Sequence, residues 1–300
     1  MNQQVLTDAL DLVTALRPKL NNSAAPDQIH VDPNFIEDPN VTPVIEYAIN
    51  RRKNLFLVGP TGCGKSSLAI NVAARLGEAV EIFNCNGETS TDELIAKPWR
   101  KSSGETVAIP GAALRAYSTG KGLLLEEVDH ANPDILAALH RIMELNQSFV
   151  KVNVGEGETY TRDPRFFVMA TANTIGTGED TFMYAGTKPL NAAFMNRFSL
   201  TIKMDFLTAD KEVSVLMNKT GAQKGLCEKM VSVAGEARAL LHTDMDRIAT
   251  VVSTRDLLEW ADLVVTGKLF PITAADFVFL NRANEADRDV LSKLVTNHFC

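Results

Sequence analysis

The sequence predicts an α/β fold, in which helices cover a parallel sheet, followed by a second domain that is mostly helical. An apolar run at residues 55–58 leads into a glycine-rich loop and then into apolar residues at helical spacing. Strand-like and helix-like segments alternate further along the chain, as they do in parallel sheets covered by helices. From residue 206 to residue 300 the pattern is helical with short breaks, which indicates the second domain.

The N-terminal residues predict one helix and a linker. Apolar residues recur every three or four positions over residues 3–17, and Pro18 ends the pattern. This amphipathic helix could dock on the core or recruit a partner, and the sequence leaves both uses open. Residues 21–39 are rich in Asn, Ser, Asp and Pro, so they are predicted to form an extended linker before a helix that begins at Pro43.

Residues 59–66 have the form GxxxxGKS, which is typical of a phosphate-binding loop. The glycines let the backbone curl so that successive N–H groups point at an anion, and the helix opened by Lys65 adds its positive end. We expect Lys65 to reach the β- and γ-phosphates and the Ser66 hydroxyl to ligate Mg²⁺. The residues predicted to bind the nucleotide are Gly59, Pro60, Thr61, Gly62, Cys63, Gly64, Lys65, Ser66 and Ser67.

The remaining elements of the first domain follow from local patterns. In chain order, we predict a strand at residues 79–85, a short helix from Thr91, a helix at residues 110–117, a strand at residues 123–129, a helix after Asn132 and Pro133, a hairpin at residues 149–161 and a strand at residues 166–170. A loop rich in Gly and Thr, longer than a simple connection needs, occupies residues 174–189.

Polar residues follow two of these strands and are expected to meet beside the phosphate loop, because parallel strands share a carboxyl edge. The strand at residues 123–129 ends in the acids Glu126, Glu127 and Asp129, of which one can hold Mg²⁺ through its water shell and the next can polarise the attacking water. The strand at residues 166–170 leads to Asn173, which is placed to orient water or touch the γ-phosphate. Standing alone, the acids would equally fit a strand that ends at the surface, and Asn173 would fit a turn.

Composition narrows the range of functions. A length of 300 residues predicts two domains, and a formal net charge of −7 does not favour nucleic acid, although a local basic pore could lie within an acidic total. The four cysteines show no CxxC spacing, which argues against a disulfide framework or zinc site and favours a reducing cytoplasm. No apolar run reaches membrane length, so we expect a soluble protein without a membrane partner.

The chain resembles AAA+ ATPases of the MoxR and dynein-related branch, most closely the CobS-type subunits of ATP-dependent cobaltochelatase. The segments that carry the resemblance are Gly59 to Ser66, Leu125 to Asp129, Ala170 to Gly176 and Leu190 to Phe198, together with Val252 to Arg255, Trp260 and Phe279 to Arg282 in the second domain. The resemblance implies an N-terminal helix and linker over residues 1–40, a AAA+ nucleotide-binding core over residues 41–205 and a helical lid domain over residues 206–300.

The same resemblance implies ATP hydrolysis with Mg²⁺ and assigns a role to individual residues. Glu127 corresponds to the catalytic glutamate, and Asn173 to the sensor-1 residue. Arg197 resembles the arginine finger that acts on ATP in the neighbouring subunit, and Arg255 resembles the sensor-2 arginine of the lid. Without the family, an ordinary surface ion pair would explain both arginines. Glu126 stands where the family has an Asp, so a metal shell that includes Glu126 and Ser66 must accommodate one more methylene.

The function implied by the resemblance is a homo-oligomeric ring, expected to be a hexamer, that remodels a protein partner. A von Willebrand A type protein or a large chelatase-like subunit would be that partner, and the hairpin at residues 149–161 would face the pore or the partner. The five histidines are isolated in sequence, so no cobalt site is visible. Two other functions stay open, a motor that acts on nucleic acid and a nucleotide-gated scaffold that does not hydrolyse ATP.

Overall fold

The computed structural model describes residues 31–144, 148–154, 157–174, 187–241 and 248–300. The strands are β1 (Leu55–Val58), β2 (Val80–Asn84), β3 (Ala96–Arg100), β4 (Thr106–Pro110), β5 (Gly122–Glu126), β6 (Phe149–Val152), β7 (Glu158–Thr161), β8 (Phe167–Ala172) and β9 (Leu200–Lys203). The helices are α1 (Thr42–Asn50), α2 (Lys65–Arg75), α3 (Thr91–Leu94), α4 (Ala112–Thr119), α5 (Pro133–Met143), α6 (Ala192–Met195), α7 (Ala209–Thr220), α8 (Lys224–Leu240), α9 (Thr254–Val265), α10 (Pro271–Ala275) and α11 (Glu285–Phe299). The helix predicted at residues 3–17 and most of the loop predicted at residues 174–189 lie outside the described residues.

Five parallel strands form the central sheet, in the order β2-β5-β8-β1-β9. The middle strands β1, β5 and β8 are buried almost throughout, as expected for strands that helices cover on both faces. Their register keeps the carboxyl ends level, since Val58 pairs with Ala172 on one side and with Lys203 on the other. Asn84 pairs with Glu126 in the same way. The predicted α/β fold is confirmed, and the loops after β1, β5 and β8 share one edge.

Two antiparallel hairpins stand apart from this sheet. β6 and β7 form the hairpin predicted at residues 149–161, with Val152 opposite Glu158. β3 and β4 form a second hairpin, which the sequence pattern did not predict. β3 contains Pro98 and exposes four of its five residues, so neither strand propensity nor alternation marks it. The two hairpins contact each other, because the backbone N–H of Ala108 donates to a carboxylate oxygen of Glu158 at 3.0 Å.

The helix predicted at residues 110–117 begins two residues later than expected. Pro110 is the last residue of β4, and α4 begins at Ala112. Between them, Gly111 passes so close to the preceding segment that a Cβ there would lie 2.3 Å from the carbonyl oxygen of Glu93. A glycine is therefore required at this crossing for steric reasons, and sequence periodicity alone could not place the boundary.

The strand predicted at residues 123–129 is shorter than expected. β5 ends at Glu126, and Glu127 has a left-handed backbone with φ of 54°. A single 3₁₀ turn, Val128–His130, follows it. The acids that the sequence placed on one strand therefore lie on a strand end and a tight turn, which separates the directions of their side chains.

The C-terminal helices α7 to α11 pack around their own core. Trp260 is fully buried, its ring centroid lies 5.3 Å from that of Phe279, and its Nε1 donates to the carbonyl of Pro271 at 2.7 Å. This core is separate from the two apolar clusters that cover the two faces of the sheet. The helical second part is confirmed, while the domain bounds at residues 40 and 205 stay predictions. Among the described helices, none combines the length and apolarity that crossing a bilayer would need.

Asn54, one residue before β1, forms hydrogen bonds that connect the start of β1 to the end of α5 and to the segment after α6. Its side chain is fully buried, and its Nδ2 donates to the carbonyls of Met143 at 3.1 Å and Arg197 at 2.8 Å. Its own carbonyl accepts from the backbone N–H of Ser199 at 2.9 Å. Because Met143 ends α5 and Arg197 follows α6, Asn54 fixes both elements against the amino edge of the sheet.

We expect Asn54→Ala to lower the free energy of unfolding by roughly 2–4 kcal/mol, because it leaves two buried carbonyls without a donor. Urea unfolding followed by circular dichroism measures the change. Asn40→Ala is the matched control, since Asn40 is exposed. Equal stability of the two variants would contradict this account of Asn54.

Candidate nucleotide-binding site

The phosphate loop joins β1 to α2 at the carboxyl edge of the sheet. Gly62 and Gly64 have φ of 72° and 94°, a left-handed conformation that other residues rarely adopt, so the loop curls as its sequence predicts. α2 begins at Lys65 with no side-chain cap. The first amides of this helix therefore lack a side-chain acceptor, and an anion is their natural partner.

Lys65 is the buried cation of the site. Its side chain crosses the loop, and Nζ donates to the carbonyls of Gly59 at 2.8 Å and Pro60 at 2.9 Å and to Oδ1 of Asn173 at 2.9 Å. Burial lowers the pKa of Lys65, and the negative charges nearby, including those of Asp129 and Glu127, oppose that shift. All three hydrogen-bond partners are neutral oxygens, which leaves the ammonium charge available to an anion.

A polar cavity of about 260 Å³ opens beside Lys65. The predicted site residues that line it are Thr61, Gly62, Gly64, Lys65, Ser66, Ser67, Glu126, Glu127, Asn173 and Arg255. Asn84 and Thr171 line it as well, and no sequence pattern predicted a role for either, although both lie at the carboxyl ends of their strands. The backbone N–H of Glu127 donates to Oγ1 of Thr171 at 3.4 Å, which ties the acidic turn to β8.

Three residues of the predicted phosphate loop do not line this cavity. Gly59 and Pro60 supply carbonyls to Lys65 instead, and a Cβ at Gly59 would lie 2.4 Å from the carbonyl oxygen of Met204. Cys63 is buried on the other side of the loop, where burial raises the pKa of its thiol. The loop thus uses Gly59 and Pro60 for its own conformation, whereas Cys63 lines a second cavity on that other side.

Asp129 holds the end of β8 in place, a role that the sequence pattern did not predict. Its carboxylate is fully buried, and Oδ2 accepts from the backbone N–H groups of Asn173 at 2.9 Å and Thr174 at 3.0 Å and from Oγ1 of Thr174 at 3.2 Å. Its carbonyl accepts from the N–H of Lys188 at 2.7 Å. Asp129 therefore fixes the backbone from which Asn173 reaches Lys65, and its position two residues after Glu127 is the only signal for this in the sequence.

Arg255 enters the site from the helical part of the chain. It lies in the first turn of α9, whose cap Ser253 exchanges hydrogen bonds with Asp256 in a capping box. This helix start touches the phosphate loop, because a Cβ at Gly62 would lie 2.5 Å from Oγ of Ser253. The loop and the helix that carries Arg255 are therefore in direct contact.

A second and larger cavity, of about 480 Å³, lies on the other side of the loop. It shares Gly62, Gly64, Ser67 and Arg255 with the polar cavity. The rest of its wall is largely apolar, with side chains from the linker, from α2 and from the helical part, namely Phe35, Ile36, Val41, Leu68, Phe206, Val215 and Leu258. Asp32 of the linker forms an ion pair with Lys219 of α7 at the same wall. No sequence pattern predicted a role for the linker at this site.

Arg197 lies away from both cavities. Its carbonyl is bonded to Asn54, which precedes β1, whereas the phosphate loop follows β1. The five residue steps from Asn54 to Gly59 span roughly 16 Å along the strand. The guanidinium Nη1 of Arg197 pairs with Oε2 of Glu144 at 2.8 Å, and both side chains are about one-third exposed. Arg197 is therefore the one predicted site residue that the structure places at the opposite edge of the sheet.

Comparison with known proteins matches two family models to this chain. A family model for the AAA domain (dynein-related subfamily) matches residues 54–198, and a model for the CbbQ/NirQ/NorQ C-terminal region matches residues 212–296. The aerobic cobaltochelatase subunit CobS of Sinorhizobium sp is 29% identical over 280 residues, which cover 90% of this chain and 81% of that protein. Protein NorQ of Paracoccus denitrificans is 28% identical over 241 residues, which cover 78% of this chain and 82% of that protein.

A solved structure supports the fold. The RuvB Holliday junction branch migration motor of Thermotoga maritima matches with a TM-score of 0.50 and 14% identity, over 88% of this chain and 70% of that chain. At this identity the likeness concerns the fold alone. The phosphate loop and the acids after β5 fall within the first matched family, and Arg255 falls within the second. The chain therefore belongs to the MoxR-like AAA+ ATPases, with a dynein-related AAA domain matched at residues 54–198 and a CbbQ/NirQ/NorQ-type C-terminal region matched at residues 212–296.

Proposed function

We propose that this ATPase binds Mg²⁺ and ATP across the two cavities and hydrolyses the γ-phosphate at the polar one. The observation that carries the proposal is that Lys65, Glu127, Asn173 and Arg255 converge on a single cavity. They come from α2, from the turn after β5, from the end of β8 and from α9. Phosphoryl transfer to water needs positioned cations for the phosphates and a polar group for the water, and these residues supply both.

The shape of the two cavities suggests how the nucleotide lies. The triphosphate would occupy the polar cavity against the first turn of α2, where Lys65 provides a buried positive charge. Adenine and ribose would occupy the larger cavity, because its wall is largely apolar and it continues from the same loop residues. Phe35 of the linker and Leu258 of α9 would then contact the base from two parts of the chain.

Ser66 and Glu126 would hold the Mg²⁺ ion. Both line the polar cavity beside Lys65, and hydroxyl and carboxylate oxygens are ligands that Mg²⁺ accepts. The bound ion would neutralise phosphate charge. Glu126 is longer by one methylene than the Asp expected from the resemblance, so its carboxylate reaches further from the end of β5.

Glu127 and Asn173 would act on the attacking water. Glu127 would accept a proton from it, and Asn173 would orient it while still linked to Lys65. The left-handed backbone of Glu127 supports this role, because a non-glycine residue in that conformation costs on the order of 1–3 kcal/mol and such strain clusters at active sites.

Two substitutions separate binding from hydrolysis. Lys65→Ala should abolish nucleotide binding, because it removes the buried cation, whereas Glu127→Gln should bind ATP without turnover. Isothermal titration with ATP and a phosphate-release assay measure the two properties. Lys229→Ala, which removes one positive charge near the Phe299 ring of the helical part, is the control and should behave as the unmodified chain. Undiminished turnover by Glu127→Gln would refute the assignment of Glu127.

Arg197 supports the further proposal that the protein acts as a ring of its own copies, six by analogy with the family. Within one subunit, the length of β1 separates Arg197 from the phosphate loop. The guanidinium is nevertheless partly exposed, so it is accessible to a neighbouring copy. We propose that Arg197 stabilises the transition state in the neighbour's site, where a guanidinium supplies much of the reduction in the barrier.

Mixed subunits test this proposal. Lys65→Ala and Arg197→Ala should each be nearly inactive alone, yet a mixture should hydrolyse ATP at least about fivefold faster than either, because one supplies the arginine and the other the nucleotide site. Lys65→Ala mixed with the double variant Lys65→Ala/Arg197→Ala is the matched control, and it should show no recovery. Full turnover by Arg197→Ala alone would rule out the role in trans.

We further propose that ATP hydrolysis drives the remodelling of a protein partner, as part of a chelatase-like complex. CobS is named as a cobaltochelatase subunit, and its similarity extends over 90% of this chain. A von Willebrand A type protein or a large chelatase-like subunit would be the partner, and a metal would be cargo of that complex. Within the described residues, no group of three or more His, Cys, Asp or Glu side chains could hold a metal ion.

Capture from the lysate of the source cell tests the partner. Glu127→Gln in ATP should stay on its client, and mass spectrometry should then identify a von Willebrand A protein or a large chelatase subunit, while Lys65→Ala should capture neither. Recovery of DNA-processing proteins, together with ATPase stimulation by DNA, would replace this proposal with a motor on nucleic acid.

A further inference from the structure

The helical part contains a buried ion pair that lines neither cavity. Glu212 of α7 is 1% exposed, and the side chain of Arg238 of α8 is 13% exposed. The pair is bidentate, since Nη1 of Arg238 lies 2.8 Å from Oε2 of Glu212 and Nη2 lies 3.0 Å from Oε1. Charges buried in this way bring little net stability compared with apolar side chains of similar size, so the pair invites another explanation.

The remaining hydrogen bonds of the pair converge on the start of α9. Nε of Arg238 donates to the carbonyl of Val252 at 2.8 Å, and Oγ1 of Thr254 donates to Oε1 of Glu212 at 2.5 Å. These two contacts hold the residues on either side of the helix cap Ser253. Arg255 is the next residue after Thr254, so the pair fixes the backbone from which Arg255 reaches the polar cavity.

The pair also contacts the wall of the larger cavity. The guanidinium carbon of Arg238 lies 3.8 Å from the ring centroid of Phe206, which lines that cavity. This stacking fixes the plane of the guanidinium and therefore the directions of its N–H groups. A lysine could replace the charge of Arg238. It could not donate the two parallel hydrogen bonds to Glu212 and also present a planar group that stacks on Phe206.

We propose that Glu212 and Arg238 are positioning residues for Arg255. This proposal rests on the proposed function of Arg255. The buried pair sets the first turn of α9 against the phosphate loop so that the Arg255 guanidinium faces the phosphates. Neither residue lines either cavity. Their effect on hydrolysis therefore passes through Arg255, and it disappears once Arg255 is removed.

The first test is Thr254→Val, a change of similar volume that removes the hydroxyl contact with Glu212. Thr254 also lines the larger cavity, so nucleotide affinity is measured beside turnover. With Arg255 present, kcat should fall about tenfold, while the dissociation constant for ADP changes less than about twofold. With Arg255→Ala as the background, the same change should alter kcat by less than about twofold. Thr266→Val is the matched control, since Thr266 donates to the carbonyl of Asp262 at the other end of α9.

The second test replaces the pair by apolar side chains of similar size. Glu212→Leu/Arg238→Met should lower the melting temperature far less than Glu212→Leu by itself, because the double variant leaves no charge buried alone. The kcat of the double variant should nevertheless fall to the level of Arg255→Ala. The single variant Arg238→Lys should have a kcat between that level and the kcat of the unmodified chain. Normal kcat in the double variant, or equal effects of Thr254→Val in both backgrounds, would overturn the positioning role. An active Arg255→Ala would instead overturn the proposed role of Arg255, and this inference with it.

Discussion

The burial of the Lys65 ammonium group constrains the whole candidate site, because a charge removed from water must find oxygen partners nearby. The partners are the carbonyls of Gly59 and Pro60 and the side chain of Asn173. The loop presents its carbonyls inward only because it curls through left-handed glycines. Asn173 reaches Lys65 only because β8 lies beside β1 with their ends level. The loop conformation and the order of the strands thus serve the same group, and an incoming phosphate finds a cation already held in place.

Sequence patterns predicted the elements whose signal is local. The run from β1 through the phosphate loop into α2 carries its own strand, turn and helix residues, and the hairpin at residues 149–161 carries its own alternation. Both are present in the structure. The hairpin of β3 and β4 lacks such a signal, since it contains Pro98 and is mostly exposed. What holds it is a contact with Glu158, which lies 50 residues away in the chain, and no local pattern contains that information.

The parts of the site that the sequence could not predict also depend on contacts between residues that are distant in the chain. Phe35 lines the larger cavity only because the linker folds over α2, where the backbone N–H of Asp32 donates to Oδ1 of Asn71 at 3.1 Å. In the sequence, Asp129 looks like one more acid at a strand end. In the structure, its carboxylate accepts hydrogen bonds from the backbone N–H groups of Asn173 and Thr174. Residue type and spacing indicated which groups could do chemistry. Which of them do structural work instead depends on partners that only the tertiary fold brings together.

Arg255 and Arg197 lie at opposite edges of the sheet, and β1 connects the two edges. Arg255 lies at the carboxyl edge of the sheet in contact with the phosphate loop, and Arg197 lies at the amino edge, bonded through Asn54 to the other end of β1. β1 is short and buried, and close-packed interiors transmit displacement rather than absorb it. Under our proposal, a shift of the loop on hydrolysis therefore has a rigid path of one strand to the arginine that serves the neighbouring copy. The state of the nucleotide in one subunit would then affect the position of Arg197 in the site of the neighbouring subunit.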